Sequence, residues 1–192
     1  MNRYHVFVVL AVLLLASGTA SADWKFAAGA TYLSGMTDLS DTLEDNLEDR
    51  GFVVDTLVIP IGASFQGYTE WDSGFGVGFS LGPAMAAFGD IDFFNIPIGL
   101  DARYSFGSDG NRPYIRLGGR YHIANGDDIE SGGAGPFAAV GYEFRDSGGS
   151  NSGWGFELAY DGAEIEVVST RSVTGFEDIK AAEVMLSVFV LF

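Results

Sequence analysis

From about residue 24 to its last residue the chain alternates. Ala182, Val184, Leu186, Val188, Val190 and Phe192 fall on one face of an extended strand, while Ala181, Glu183, Met185 and Ser187 fall on the other. Phe75, Val77, Phe79 and Leu81 alternate with Gly76, Gly78, Ser80 and Gly82. Phe94, Ile96, Ile98, Leu100, Ala102 and Tyr104 alternate with Asn95, Pro97, Gly99, Asp101 and Arg103, and Trp154, Phe156, Leu158 and Tyr160 with Gly155, Glu157, Ala159 and Asp161. A period of two is the period of a sheet. The pattern predicts eight strands, over 24–33, 54–68, 75–88, 93–106, 113–124, 136–144, 154–161 and 180–192.

The two faces are unequal in a telling way. One is large and apolar; the other is glycine, alanine and sparse charge, a poor surface to show to water. A soluble sandwich would bury the bulky face and coat the other with Lys, Thr and Glu. A closed barrel turned inside out suits both, with apolar residues against lipid and small or paired polar residues filling the interior. Closure follows because an open sheet edge in hydrocarbon leaves backbone groups unbonded. Most of the predicted strands reach the roughly 9–11 residues that a tilted crossing needs.

The connections support this arrangement. Tight turns at 69–74 and 107–112, and a turn over 145–153, alternate with mostly longer, acidic segments at 34–53, 89–92, 125–135 and 162–179. Short turns on one side and long loops on the other predict periplasmic and extracellular ends, with both termini periplasmic. Aromatic residues gather near the strand ends on the turn side: Trp24, Phe26, Tyr68, Trp71, Tyr104, Phe106, Tyr142, Phe144, Trp154, Phe156, Phe189 and Phe192. They read as an interfacial girdle, with Tyr32, Phe88, Phe93 and Tyr121 as a thinner outer one. Pro60, Pro83 and Pro97 each remove a ladder donor and predict bulges or local breaks.

Ahead of these strands, residues 1–22 have a basic residue at Arg3, an apolar run from Val6 to Ala16 and the small-residue sequence Ala20-Ser21-Ala22. That is the pattern of a cleaved secretory signal peptide. The apolar run is too short for a helix to cross roughly 30 Å of hydrocarbon. The division is then a signal peptide over 1–22 and one barrel domain over 23–192.

Composition narrows the functional classes. The chain has 192 residues, 47% of them hydrophobic and 14% aromatic, with 27 Gly and no Cys. The apolar and aromatic content excludes a disordered chain, and the missing cysteine excludes a disulfide scaffold or a thiolate metal site. A net charge of −16 speaks against nucleic acid as a partner.

With these features the chain resembles the small bacterial outer-membrane β-barrels, the eight-stranded OmpA/OmpX-like or porin-family proteins of Gram-negative envelopes. The resemblance covers the whole barrel as a pattern, and its most specific element is the last strand, Val184 to Phe192. An alternating strand closing on a terminal Phe resembles the signal read by the outer-membrane barrel assembly machinery, carried here by Phe192, Val190 and Val188. The resemblance implies outer-membrane lipid and lipopolysaccharide as surroundings. It implies no cofactor.

A barrel of eight strands is just wide enough for side chains to fill. Strand parity points Lys25, Asp101, Arg103, Arg116, Arg120, His122, Glu143, Glu157, Asp161 and Glu183 inward. An unpaired charge there would cost several kcal/mol, so a hydrogen-bonded Arg–Glu network is expected, with Arg103 and Arg116 at the depth of Glu143 and Glu157 and Arg120 one pleat further out. Such a network is either packing or the gate of a narrow pore. His122 raises a third possibility, since some outer-membrane barrels modify lipid A. Acyl chemistry would need a nucleophile beside that base. Ser131 lies in a glycine-rich loop, and His122 faces the lumen while lipid approaches from outside.

The first long loop holds DLSDTLEDNLEDR over 38–50, with Leu39, Leu43 and Leu47 every four residues and Gly51 beyond. It predicts a short amphipathic helix whose leucine stripe closes over the barrel mouth. Other acids gather at Asp90 and Asp92, at Asp127, Asp128 and Glu130, at Glu164 and Glu166, and at Glu177 and Asp178. Such carboxylates can take divalent cations and bridge to lipopolysaccharide, although none has the spacing of a dedicated calcium loop. The sequence thus predicts an all-β, eight-stranded antiparallel transmembrane barrel without a catalytic centre and with a structural or surface-interaction role. A narrow porin-like or OmpW-like conduit for small solutes is the alternative, and a lipid A-modifying enzyme the third.

Overall fold

The computed structural model describes residues 24–53, 56–57, 60–89, 93–107, 110–126, 128–145, 152–168, 175–180 and 184–192. The expected signal peptide, Asp90, Asp92, Asp127 and Glu183 lie outside them. In chain order the elements are β1 (Trp24–Leu33), α1 (Met36–Asp49), β2 (Thr56–Leu57), β3 (Ile61–Glu70), β4 (Phe75–Gly89), β5 (Phe93–Ser105), β6 (Arg112–Gly126), β7 (Ile129–Ser131), β8 (Ala134–Arg145), β9 (Gly153–Asp161), β10 (Glu164–Val168), β11 (Phe176–Lys180) and β12 (Val184–Leu191).

Eight strands form the wall, in the order β1–β3–β4–β5–β6–β8–β9–β12, each antiparallel to the next. The ring closes where β1 meets β12, from Ala27 opposite Leu191 to Leu33 opposite Met185. No edge is left for hydrocarbon to meet, which is the condition for a sheet to sit in a bilayer. Burial runs inside out. Leu117 is 61% exposed and Val188 57%, whereas Glu143 and His122 are fully buried. No helix among the described residues is long and apolar enough to cross a membrane, so any crossing is made by strands.

Proline shapes the wall where the sequence led one to look. β4 carries one extra residue around Gly82 and Pro83: Leu81 pairs with Phe65 and Ile98, but Ala84 pairs with Ala63 and Met85 with Asn95. Gly82 takes φ 87°, a conformation open to glycine and strained for other residues. Pro97 faces the same interruption, so its missing donor falls where the β4 ladder is already broken. Within the expected strand over 54–68, β2 pairs with the end of β4, and Pro60 lies just ahead of β3, its carbonyl accepting from the Leu33 amide at 3.0 Å; residues 54–55 and 58–59 lie outside the described residues.

Two loops are more ordered than an acidic composition suggests. β10 and β11 form a hairpin, and β7 joins β10 to make a three-stranded sheet at the loop end of the barrel. Of the expected last strand over 180–192, Lys180 pairs with Glu164 in this sheet and Val184–Leu191 form β12; residues 181–183 lie outside the described residues.

Candidate functional site

The lumen is filled by two different materials, charge toward the turn end and leucine toward the loop end. The charged part is a column built on the inward positions of neighbouring strands. Arg103, Arg112, Arg116 and Arg120 come from β5 and β6, and Glu143, Glu157 and Asp161 from β8 and β9. Apart from Glu70 on β3, the acids that hold these guanidinium groups lie on the same side of the ring, on β5, β8 and β9, and not on the facing wall. That wall, on β12, β1, β3 and β4, offers small polar residues: Thr31 bonds Ser187 at 2.8 Å and Ser64 at 3.2 Å.

At the turn end Glu70 accepts from Arg112 at 2.5 and 2.9 Å, with Lys25 3.8 Å away. Glu143 collects three donors: Arg103 at 2.5 Å, Tyr68 at 2.8 Å and Arg145 at 2.6 Å. The Arg103 guanidinium lies between two rings, 3.7 Å from the centroid of Tyr114 and 4.2 Å from that of Tyr68. Desolvated cation–π contacts of this kind contribute about 2 kcal/mol. Next along the axis, Arg116 is held on both sides. Its Nε and Nη2 donate to Asp101 at 2.9 and 2.6 Å, and its Nη1 donates to Glu157 at 2.8 Å. Tyr114 also donates to Glu157, at 2.9 Å. The space left between Tyr68, Asp101, Arg103 and Arg116 is too small for a water molecule.

Further toward the loop end, Asp161 takes His122 Nε2 at 3.0 Å and Arg120 at 3.4 Å on one oxygen, and the Ala163 amide on the other. His122 Nδ1 meets the side-chain amide of Asn95, 2.9 Å from its nitrogen. Both ring nitrogens are therefore engaged. Ser131 lies on β7 in the three-stranded sheet and is exposed, not placed against this imidazole. The arrangement can hold a proton in place, but it presents no base to a lipid.

Above this level the lumen turns apolar. α1 lays Leu39 and Leu43 onto Leu33, Phe137, Ile165, Val167, Ile179 and Met185, with Leu47 packed at the margin. Two polar contacts hold its C-terminal end, and a third ties their partners together. Asn46 Nδ2 donates to the Val168 carbonyl at 2.5 Å, Arg50 pairs with Asp128 at 2.8 Å, and the Val168 amide donates to the Asp128 carbonyl at 2.8 Å. Asp128 adopts φ 62°, a left-handed conformation that Asp tolerates better than most residues.

No family model matches the sequence, and no curated protein matches it. Among solved structures, OprG from Pseudomonas aeruginosa superposes with a TM-score of 0.57 at 11% identity, over 88% of this chain and 94% of that one. Neisserial surface protein A superposes with a TM-score of 0.51 at 14% identity, over 90% of this chain and 98% of that one. The fold is that of the small outer-membrane barrels. At such identities the shared property is architecture, and function has to come from the side chains of this chain.

Within this barrel the parity of the strands places Asp101, Arg103, Arg116, Arg120, His122, Glu143 and Glu157 in one connected column; Glu183 is outside the described residues. Three partners belong to it that sequence reasoning assigned to turns, Glu70, Arg112 and Arg145. They sit at strand ends, where turn-rich composition masks the alternation. Tyr68 and Phe189 are corrections. Both were assigned to the interfacial girdle, yet both are 3% exposed inside the lumen. Tyr68 is drawn inward by the Arg103 cation and the Glu143 carboxylate. Phe189 packs with Ala27, Tyr114 and Leu191. Phe192 remains on the outside, its amide bonded to the Phe26 carbonyl at 3.0 Å across the closing seam.

Proposed function

We propose that the chain is an integral outer-membrane protein whose work is done at its loop surface, over a lumen that conducts nothing. The observation that carries this is double closure: the Arg–Glu column fills the lower lumen and the α1 cap seals the upper. The acidic loops then face the exterior, among lipopolysaccharide, and the short turns face the periplasm. Planar-bilayer recording tests the closed lumen. The purified protein is expected to insert without unit conductance, and a stable single-channel current would return the narrow-conduit reading. Orientation has its own test, made simple by a chain without cysteine. Asp41→Cys, on α1, is expected to react with an impermeant maleimide on intact cells, and Asn111→Cys, in a turn, only after the envelope is opened.

Export and assembly belong to the same proposal. Cleavage after Ala22 is expected to leave Asp23 as the amino terminus, which mass spectrometry of the purified protein reads directly. Phe192, with Val190 and Val188, would supply the recognition strand for the assembly machinery. The Asp161–His122–Asn95 contacts favour a structural histidine over a catalytic one, so lipid A from cells with and without the protein should give the same mass profile. Divalent cations at the acidic loops remain part of this reading, as bridges to anionic lipid headgroups.

A further inference from the structure

The outward face of the wall is not uniform. Register aligns Leu117, Ala138, Tyr160 and Val184 in one row across β6, β8, β9 and β12, with Ile115, Val140, Leu158 and Leu186 in the next row. In these two rows only Ala138 lacks a bulky side chain. An apolar trough of about 390 Å³ lies over it, walled by Leu117, Val140, Leu158 and Tyr160. Gly119, one outward step beyond Leu117 on β6, adds no side chain, and its Cβ position meets nothing nearer than 3.7 Å. A diagonal groove therefore runs over Gly119 and Ala138 between branched and aromatic walls.

We propose that this trough seats one acyl chain of a bilayer lipid from the leaflet on the loop side, retained longer than the lipid around the rest of the belt. The inference rests on the membrane reading above. Three observations choose an acyl chain. The trough is continuous with the lipid-facing belt, since Leu117, Val140 and Leu158 are each at least half exposed, and it lies open along its length. Its lining is hydrocarbon apart from the Tyr160 hydroxyl and offers no charge to pair with a polar partner. Tyr160 is the penultimate residue of β9, at the loop end, where an amphipathic ring suits the boundary between acyl chains and headgroups.

The test reconstitutes the full chain into dimyristoyl phosphatidylcholine vesicles, extracts it in mild detergent and counts retained lipid by native mass spectrometry. Wild type is expected to keep one phospholipid per chain. Ala138→Phe, which fills the trough, is expected to lower that occupancy about fivefold, the loss of roughly 40 Å² of apolar contact. Ala102→Phe, at an outward position on β5, serves as the matched control and should keep the lipid. Equal retention by all three overturns the proposal. So does a wild-type dimer that Ala138→Phe abolishes, which would give the trough to a second copy of the chain. Failure of wild type to enter vesicles at all would instead sink the membrane reading itself. Heat-modifiable gel mobility reports whether each variant has folded.

Discussion

The lower and upper lumen solve one filling problem in opposite ways. Below, most buried charges are matched by several partners, Arg120 with Asp161 alone among the acids being the sparest, and one lost acid strands a desolvated guanidinium. Above, leucines pack against leucines and isoleucines, with Asn46 and the Arg50–Asp128 pair among the polar contacts that fix the position of the helix. The contrast teaches that the barrel is locked by its column and merely covered by its cap. The column is welded into the wall, strand by strand. The cap is an added piece that could in principle be changed without unmaking the cylinder.

The largest effect that would break this contrast is in the column. Glu143→Ala leaves Arg103 and Arg145 without their carboxylate, and breaking a buried pair of this kind costs about 3–5 kcal/mol. Urea unfolding from lipid vesicles is expected to show a loss of that size in the whole barrel. Leu43→Ala in the cap removes a buried side chain at about 2–5 kcal/mol of local packing. Its loss should appear as faster proteolysis of α1, with the barrel's own unfolding midpoint unmoved; a matching fall in that midpoint would merge the two regions. The smallest effect is expected for Arg50→Ala. Its exposed pair with Asp128 contributes about 0–1 kcal/mol, and added salt should erase the difference from wild type.

A further variant sharpens the comparison. Replacing Arg116 by Met together with Asp101 and Glu157 by Leu and Tyr114 by Phe removes the group with its hydrogen-bond partner, and well-packed apolar substitutes for buried ion groups are often neutral or stabilising. Stability within about 1 kcal/mol of wild type would show that the column serves closure by volume. A collapse like that of Glu143→Ala would show that the charges themselves specify the lumen.

Much of this architecture is legible in the sequence because lipid and lumen impose opposite demands on successive residues. Trp154, Phe156, Leu158 and Tyr160 look outward, and Gly155, Glu157, Ala159 and Asp161 look inward, with no exception along β9. Depth was readable too, since parity and turn position together bring Arg103 level with Glu143. The illegible parts share a cause. In β10, Glu164 and Glu166 read as a loop acid cluster, whereas they alternate with buried Ile165 and Val167 on a strand too short to announce itself. Tyr68 satisfies both a girdle and a lumen, and only the cation beside it decides. Nothing in the spacing of residues 128, 168 and 50 foretold that they meet.

That meeting point bears on how the exposed surface can be recognised. Asp128 fastens the segment before β7, the end of β10 and the tail of α1 to one another, so these three segments are not independent ribbons. An immune repertoire raised on synthetic peptides copied from any single segment would meet shapes that the folded molecule never displays. Antibodies elicited by the refolded barrel, by contrast, should bind the folded molecule and fail to recognise the separate peptides.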